Sequence, residues 1–333
     1  MIMRLWTRPA GFLRGDIVEV RGETEIAATL DASGRFDGLP FMPEMVPHCG
    51  RRFRIYRRAD KTCVEGLGLR RMQRTVFLEA IRCDGAAHDG CQRGCLMFWK
   101  EAWLKPVTDW NGTGPAQPET GAAAPASLWA RRLPTRDGER YICQSTALAT
   151  ATSDLDSRNP VHLVREMFTR ELTPWRFVQI VNRAFINKIR TALKLREMGG
   201  LAGVKTRNPK GDLDLVPGER VEVKSPAEIM ATLDPKGRNC GLSFEPDMTD
   251  NTGKRYEVAT PITKIILEQT GRMATLTNTV ALKGVTCQGL CSKNCPRNNP
   301  IFWRESWLRR LDPRAQRAIP APPPLQAIMS ASP

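Results

Sequence analysis

Three cysteines and one histidine lie within thirteen residues of one another, at Cys83, His88, Cys91 and Cys95. Interspersed glycines give this segment the backbone freedom to fold back on itself. Three thiolates and one imidazole match the tetrahedral ligand set that zinc prefers in proteins. The cluster therefore predicts a zinc site, although C-x7-C-x3-C is not the spacing of a standard zinc finger.

Two further cysteines precede this cluster and could add to its ligands. Cys49 lies in PHCG and Cys63 in RRADKTC. If both joined, six ligands would exceed the need of one zinc ion, and an iron–sulfur cluster would become the alternative. Buried or free thiols without a metal are the third possibility.

A second group of thiols lies near the end of the chain, at Cys287, Cys291 and Cys295, spaced C-x3-C-x3-C. Cys240 is a possible fourth member, since no histidine occurs in this part of the sequence. A closed zinc site needs four ligands. Metal binding and inert or redox thiols therefore both stay open here. Cys143 is flanked by apolar residues and is expected to be structural.

Enzyme motifs are scarce, with no phosphate-binding loop, dinucleotide fingerprint or G-x-S-x-G. His48 beside Cys49 could form a nucleophile pair, but adjacent residues of a strand point apart. The catalytic residues are therefore unknown. Four tryptophans could stack on bases or line a peptide groove, but core packing explains them better: Trp99, Trp103, Trp303 and Trp307.

The sequence contains one long module twice. The segment from Gly15 to Val107 returns from Gly218 to Leu311, with FWKEAWL matched by FWRESWL. A repeat of this length indicates two copies of a small domain. Trp103 and Trp307 should therefore occupy equivalent core positions.

Patterning along the chain predicts a mainly β fold with a helical middle segment. Short alternating strands and glycine-rich turns within about 90 residues favour small β-barrels, SH3-like or OB-like, and we expect two SH3-like modules. The expected organisation is a first module, a Gly/Ala/Pro-rich linker, a helical segment, a second module and a disordered Pro-rich tail: 1–107, 108–127, 128–216, 217–311 and 312–333. The linker predicts that the modules unfold separately.

The middle segment has helix start signals at Asn159-Pro160 and Thr173-Pro174. The second helix should run to about Met198 and stop at Gly199-Gly200. Its apolar positions share one face, which either packs on neighbouring elements or docks a partner: Val178, Val181, Phe185, Ile189 and Ala192.

The chain of 333 residues carries a formal net charge of +15, spread evenly along its length. An even spread favours a basic background over a dedicated nucleic-acid footprint, so nucleic-acid binding is possible but weak. No apolar run is long enough to span a membrane, and no secretory signal precedes the first module. We expect a cytoplasmic protein, where clustered cysteines are more often metal ligands than disulfides.

Several sequence motifs resemble those of a known family, and the resemblance covers nearly the whole chain except the linker and tail. The motifs are EIAATLDASGRFDGLPFMPEM, RRADKTC, RCDGAAHDGCQRGC, FWKEAWL and FWRESWL. They resemble a largely uncharacterised family of bacterial proteins with two tandem SH3-like modules and cysteine-rich loops, loosely associated with biosynthetic operons. The resemblance implies the architecture and gives no settled activity. This chain departs from the family in carrying Cys291.

These features favour a metal-binding interaction or scaffold protein, with zinc as the expected cofactor and other proteins, such as those of a biosynthetic pathway, as partners. The first alternative is a metal- or thiol-dependent biosynthetic enzyme with a site between the modules. The second is a nucleic-acid-binding protein, which charge alone favours. The sequence leaves the oligomeric state open.

Overall fold

The computed structural model describes residues 11–108, 129–156, 161–169, 171–205, 209, 211–290 and 293–311. Most of the predicted linker, the predicted tail, the Asn159-Pro160 signal and Cys291 lie outside these residues. The described part of the chain is mainly β, as predicted, and every strand pairing in it is antiparallel.

The first module is organised around a five-stranded sheet with the strand order β8-β7-β4-β1-β9. Smaller hairpins, β2–β3 and β5–β6, lie beside it, and a short helix α1 spans Glu23–Ala27. Alternation of apolar and charged residues produces the central strands, because one face of each is buried. The strands are β1 Ile17–Val20, β2 Arg35–Phe36, β3 Leu39–Pro40, β4 Arg52–Arg58, β5 Lys61–Val64, β6 Gly68–Arg71, β7 Thr75–Leu78, β8 Trp99–Lys100 and β9 Leu104–Pro106.

The second module repeats this arrangement, with the sheet order β20-β19-β16-β13-β21 and a short helix α5 at Pro226–Met230. The register repeats as well. Val18 of β1 pairs with Phe53 and Pro106, and Val221 pairs with Tyr256 and Arg310. The strands are β13 Arg220–Val223, β14 Arg238–Asn239, β15 Leu242–Ser243, β16 Arg255–Pro261, β17 Lys264–Ile266, β18 Met273–Thr275, β19 Thr279–Thr286, β20 Pro300–Arg304 and β21 Leu308–Arg310.

The matched tryptophans occupy equivalent core positions, which confirms the prediction from the repeat. Trp103 and Trp307 are fully buried. The indole N–H of Trp103 donates to Thr29 Oγ1 at 3.1 Å, and that of Trp307 donates to Thr232 Oγ1 at 3.0 Å. A buried indole needs such an acceptor, so the threonine belongs to the repeated packing unit.

Between the modules, the described residues form three α-helices and three short strands. The strands are β10 Arg136–Asp137, β11 Arg140–Tyr141 and β12 Ser153–Asp154, and β12 pairs with β6 of the first module. The helices are α2 Gln144–Ala151, α3 Val161–Phe168 and α4 Pro174–Ala192. Helix α4 begins where the sequence predicted, since the Thr173 hydroxyl accepts from the Arg176 amide, but it ends six residues before Met198.

The modules pack against each other, although the linker composition predicts that they unfold separately. Their contacts follow an approximate two-fold relation. The Ile266 amide of β17 donates to Cys91 Sγ at 3.3 Å, and the Cys63 amide of β5 donates to Cys295 Sγ at 3.2 Å. Both residue pairs are equivalent in the repeat, offset by 203 and 204 positions. Each cysteine-bearing loop therefore docks on a hairpin of the other module.

Side-chain contacts strengthen this junction. The Arg93 guanidinium donates to the Ile266 carbonyl, and that of Arg297 donates to the Cys63 carbonyl, both at 2.9 Å. A separate apolar cluster joins Cys91 and Tyr141 to three isoleucines of the second module. Because these contacts are buried, the junction is part of the folded core.

Helix α4 presents the opposite face to that expected for a packed amphipathic helix. Ile180 and Arg183 are its buried residues, whereas the predicted apolar face, centred on Phe185, is exposed. Two arginines set this orientation, because their acceptors lie on the second module: Arg176 donates to the Gln288 carbonyl, and Arg183 pairs with Asp247 at 3.5 Å.

Candidate functional site

Four cysteines line one buried cavity at the junction of the modules. Cys83, Cys91 and Cys95 come from the loop after β7, and Cys143 comes from the segment before α2. Ile266 and Arg297 of the second module contribute to the wall. The cavity volume is about 30 Å³. A space of this size holds one water molecule or one ion.

Short-range backbone contacts fold the first loop around the cavity. The Cys83 amide donates to the Cys95 carbonyl at 2.8 Å, which closes the loop. Gly85 has a φ of 70°, and a Cβ there would lie 2.2 Å from the Cys91 carbonyl oxygen. Only glycine fits this close approach.

Cys143 reaches the cavity from a different part of the chain. It precedes the first residue of α2, and its amide donates to Thr146 Oγ1 at 3.1 Å. The neighbouring Gln144 carboxamide is bound to the Phe98 amide and carbonyl, at 2.7 and 2.8 Å. These bonds fix the start of α2 against the first module, so the position of the Cys143 thiol is determined by the fold. Sequence analysis missed this residue.

His88 borders the cavity, but both of its ring nitrogens are engaged elsewhere. Nδ1 lies 2.5 Å from Glu44 Oε1, and Nε2 lies 2.9 Å from the Ile142 carbonyl oxygen. Both partners are acceptors, so the ring donates from both nitrogens, which is the bonding pattern of imidazolium. Burial alone would lower the pKa of His88, but the hydrogen bond to Glu44 and its charge raise it. His88 therefore offers no free lone pair to a metal.

Two thiols of the cavity are held in the neutral form by their surroundings. Burial raises the pKa of Cys83 well above its usual value and that of Cys143 to about 11. Without a bound cation, Cys83 and Cys143 stay protonated at neutral pH, because a buried thiolate is costly. The Cys95 thiol interacts with both of these groups and with Arg82 and Arg297.

A second thiol group forms across the modules. The Cys63 amide contacts Cys295 Sγ, and the Cys287 thiol interacts with both Cys295 and Cys63. Asp247 Oδ2 lies 3.9 Å from Cys287 Sγ, and burial raises the pKa of Cys287 to about 12. Cys63 was predicted as an extra ligand of the first cluster, but the structure places it beside the second.

Two of the remaining predicted cysteines, Cys49 and Cys240, lie apart from these groups. Cys49 packs against the first core, and burial raises the pKa of its thiol to about 12. Cys240 is exposed, and Cys291 falls outside the described residues. The four cysteines of the cavity are free thiols.

Within the described ranges, no group of three or more His, Cys, Asp or Glu side chains is already arranged to hold a metal ion. The thiols line the cavity without converging on one point. None of the helices in these ranges is both long and apolar enough to cross a membrane.

Comparison of this chain with protein-family models, with curated proteins and with solved structures finds no match.

Proposed function

We propose that this chain is a zinc-binding interaction protein whose metal centre lies at the junction of two SH3-like modules. The supporting observation is that Cys83, Cys91, Cys95 and Cys143, from two separate segments, line one buried cavity. Four thiolates complete a structural zinc site, and such sites are closed to solvent. Binding requires the four side chains to turn toward a shared centre and lose their protons to solvent.

The size of the cavity favours zinc over an iron–sulfur cluster. A volume of about 30 Å³ accommodates one ion. A four-iron cluster would require the loop and the start of α2 to move apart, against the hydrogen bonds of Gln144.

The charges around the cavity also favour a zinc–thiolate centre. Zinc with four thiolates carries a net charge of about −2. The guanidinium groups of Arg82 and Arg297 both interact with Cys95 and would offset this charge. The zinc ion would in turn lower the pKa values of the Cys83 and Cys143 thiols, which burial otherwise keeps neutral.

The second thiol group supports a second centre of related design. Cys287 and Cys295 come from the loop of the second module, and Cys63 comes from β5 of the first. In each case a cysteine from outside the loop joins the loop cysteines. Metal bound there would connect the modules directly, so the second centre would fix their relative position.

With the junction fixed by metal, the two modules would present a rigid pair of surfaces to partner proteins. A metal- or thiol-dependent enzyme is the second candidate, because the cavity draws its walls from both modules. The volume of about 30 Å³ leaves no room for a substrate beside an ion. The interaction protein is therefore preferred.

The test is metal analysis of the purified protein and three variants. Cys143→Ser should lose about one zinc per chain, whereas His88→Gln and Cys49→Ser should keep it. Cys49 is the matched control, since it is a half-buried thiol outside the cavity. A colourless wild type containing zinc supports the proposal. A metal-free wild type, or equal zinc in Cys143→Ser, would contradict it.

A further inference from the structure

Helix α4 carries an apolar stripe that faces away from the rest of the described chain. Val178, Phe185 and Ile189 are 53%, 62% and 45% exposed, and Val181 and Ala192 are exposed beside them. Side chains three and four positions apart adjoin on a helix, so these five form one continuous stripe. Exposed apolar stripes of this length are typical of interaction surfaces.

The polar face of α4 is already occupied. Arg176 is bound to the Gln288 carbonyl, and Arg183 is bound to Asp247 and to the Met198 carbonyl. These contacts prevent the helix from rotating to bury its stripe against its own modules. Their guanidinium groups are also directed away from the stripe.

The spacing of the stripe is symmetric about its central residue. Val181 and Ile189 lie four positions before and after Phe185, and Val178 and Ala192 lie seven positions before and after it. A second copy packed antiparallel on a two-fold axis at Phe185 would match these positions in pairs. Such self-complementarity is the property that a two-fold interface requires.

The charges at the edge of the stripe are compatible with this pairing. Lys188 is exposed three positions after Phe185, and Asn182 is exposed three positions before it. Across the two-fold axis, Lys188 of one copy meets Asn182 of the other, so like charges are not opposed. Helix α4 contains no acidic residue that would be left buried without a partner.

The available area is sufficient for a modest dimer. An aromatic side chain has an area of roughly 150–250 Å², and an aliphatic one has less. Multiplied by the exposed fractions of the side chains, these areas give an exposed surface on the order of 600 Å² per copy for the stripe together with Trp175. Two copies would bury about 1,200 Å², the lower end of the range for stable interfaces. We infer that α4 mediates a two-fold antiparallel dimer of this chain.

The first test is sedimentation equilibrium of the full chain at roughly 10–100 μM, the range in which a small interface should associate. The wild type should approach twice the chain mass of 37.3 kDa. Phe185→Glu should be monomeric, because it would place two carboxylates together at the axis. Leu67→Glu, at an exposed apolar position away from α4, is the matched control and should stay dimeric.

The second test examines the register. Val178→Glu should weaken the dimer at least tenfold, and adding Ala192→Lys should restore much of it. These positions are about 21 Å apart on one helix, so rescue can occur only between copies. A monomeric wild type overturns the inference, even if it binds vesicles of anionic phospholipid. A dimer unaffected by Phe185→Glu, or a double variant without rescue, also overturns it.

Discussion

Glu268 is a buried residue that connects the parts of the chain at the junction. Its carboxylate accepts from the Glu65 amide at 2.8 Å, from the Ser145 hydroxyl at 2.8 Å and from Arg297 at 2.7 Å. These donors belong to the first module, the middle segment and the second module. A single buried carboxylate therefore links the three parts of the chain.

Removing this charge should destabilise the protein strongly. Glu268→Gln would leave Arg297 buried without its ionic partner, which typically costs about 3–5 kcal/mol. Glu257→Gln is the control, since Glu257 forms an exposed pair with Lys283 and should change stability by less than about 1 kcal/mol. Urea unfolding measures both. Equal midpoints for the two variants would show that the junction does not depend on Glu268.

The same carboxylate should make stability pH-dependent. Burial alone would raise the pKa of Glu268, but Arg297 and the Glu65 amide lower it below its usual value. A lowered folded-state pKa adds stability above the unfolded-state pKa of about 4.3. That stability is lost as the pH falls through the folded-state pKa. The difference in unfolding free energy between wild type and Glu268→Gln should therefore shrink below about pH 4. A constant difference from pH 7 to pH 3 would contradict this assignment.

At the scale of residues, the sequence predicts the core positions that both copies of the repeat share. Trp103 and Trp307 follow from it, because both copies keep the same packing. Cys143 does not follow, because it lies 48 positions beyond Cys95 and has no counterpart in either module. The role of Cys63 was hidden for a similar reason: its partner Cys295 lies 232 positions away. The packing of α2 on the first module brings Cys143 to its cluster, and the packing of the two modules brings Cys63 to its own.

At the scale of elements, the cysteine-bearing loop depends on one tight turn. Gly85→Ala would place a methyl group against the Cys91 carbonyl, so the loop should open and the first metal centre should be lost. Gly50→Ala is a close control, because Gly50 has nearly the same φ, 72° against 70°, but an open environment. The Gly50→Ala substitution should lower the free energy of unfolding by about 1–2 kcal/mol through backbone strain, and the variant should keep its metal. Metal content and thermal melting separate the two. Retention of zinc in Gly85→Ala would show that the loop does not shape the site.

The sequence predicted whether a segment is a helix or a strand better than it predicted which way the element faces. The strands of both modules and the start of α4 at Thr173-Pro174 follow from alternation and capping. The stripe of α4 was also visible in the sequence. Its outward direction was not, because the acceptors for Arg176 and Arg183 belong to a distant part of the chain. Periodicity defines a face and leaves open what that face contacts.

At the scale of the whole molecule, the modules should unfold together. Trp307→Ala should lower the free energy of unfolding by about 3–5 kcal/mol. Because the junction is buried, this loss should also release metal from the first module's thiols in the same transition. Trp103→Ala should behave alike. Calorimetry combined with a zinc-sensitive dye tests this. If calorimetry showed two separate transitions and zinc stayed bound during the first, the modules would unfold independently, as the linker composition suggests.

That composition suggested independence because glycine, alanine and proline between modules usually indicate a flexible connection. Composition reports on the linker and not on the surfaces it joins. The surfaces here associate through reciprocal loop–hairpin contacts, whose partners lie 175 and 232 positions apart in the sequence. The repeat indicated two modules but not their mutual packing.

The central claim is that four thiolates hold zinc at the junction. X-ray absorption at the zinc edge tests it most directly, in a Cys287→Ser background that removes the second thiol group. We predict sulfur scatterers alone, with Zn–S distances near ~2.3 Å and a coordination number of about four. Three sulfurs and one nitrogen near ~2.0–2.1 Å would assign His88 as a ligand and contradict the proposed set. An absence of bound zinc would contradict the account as a whole.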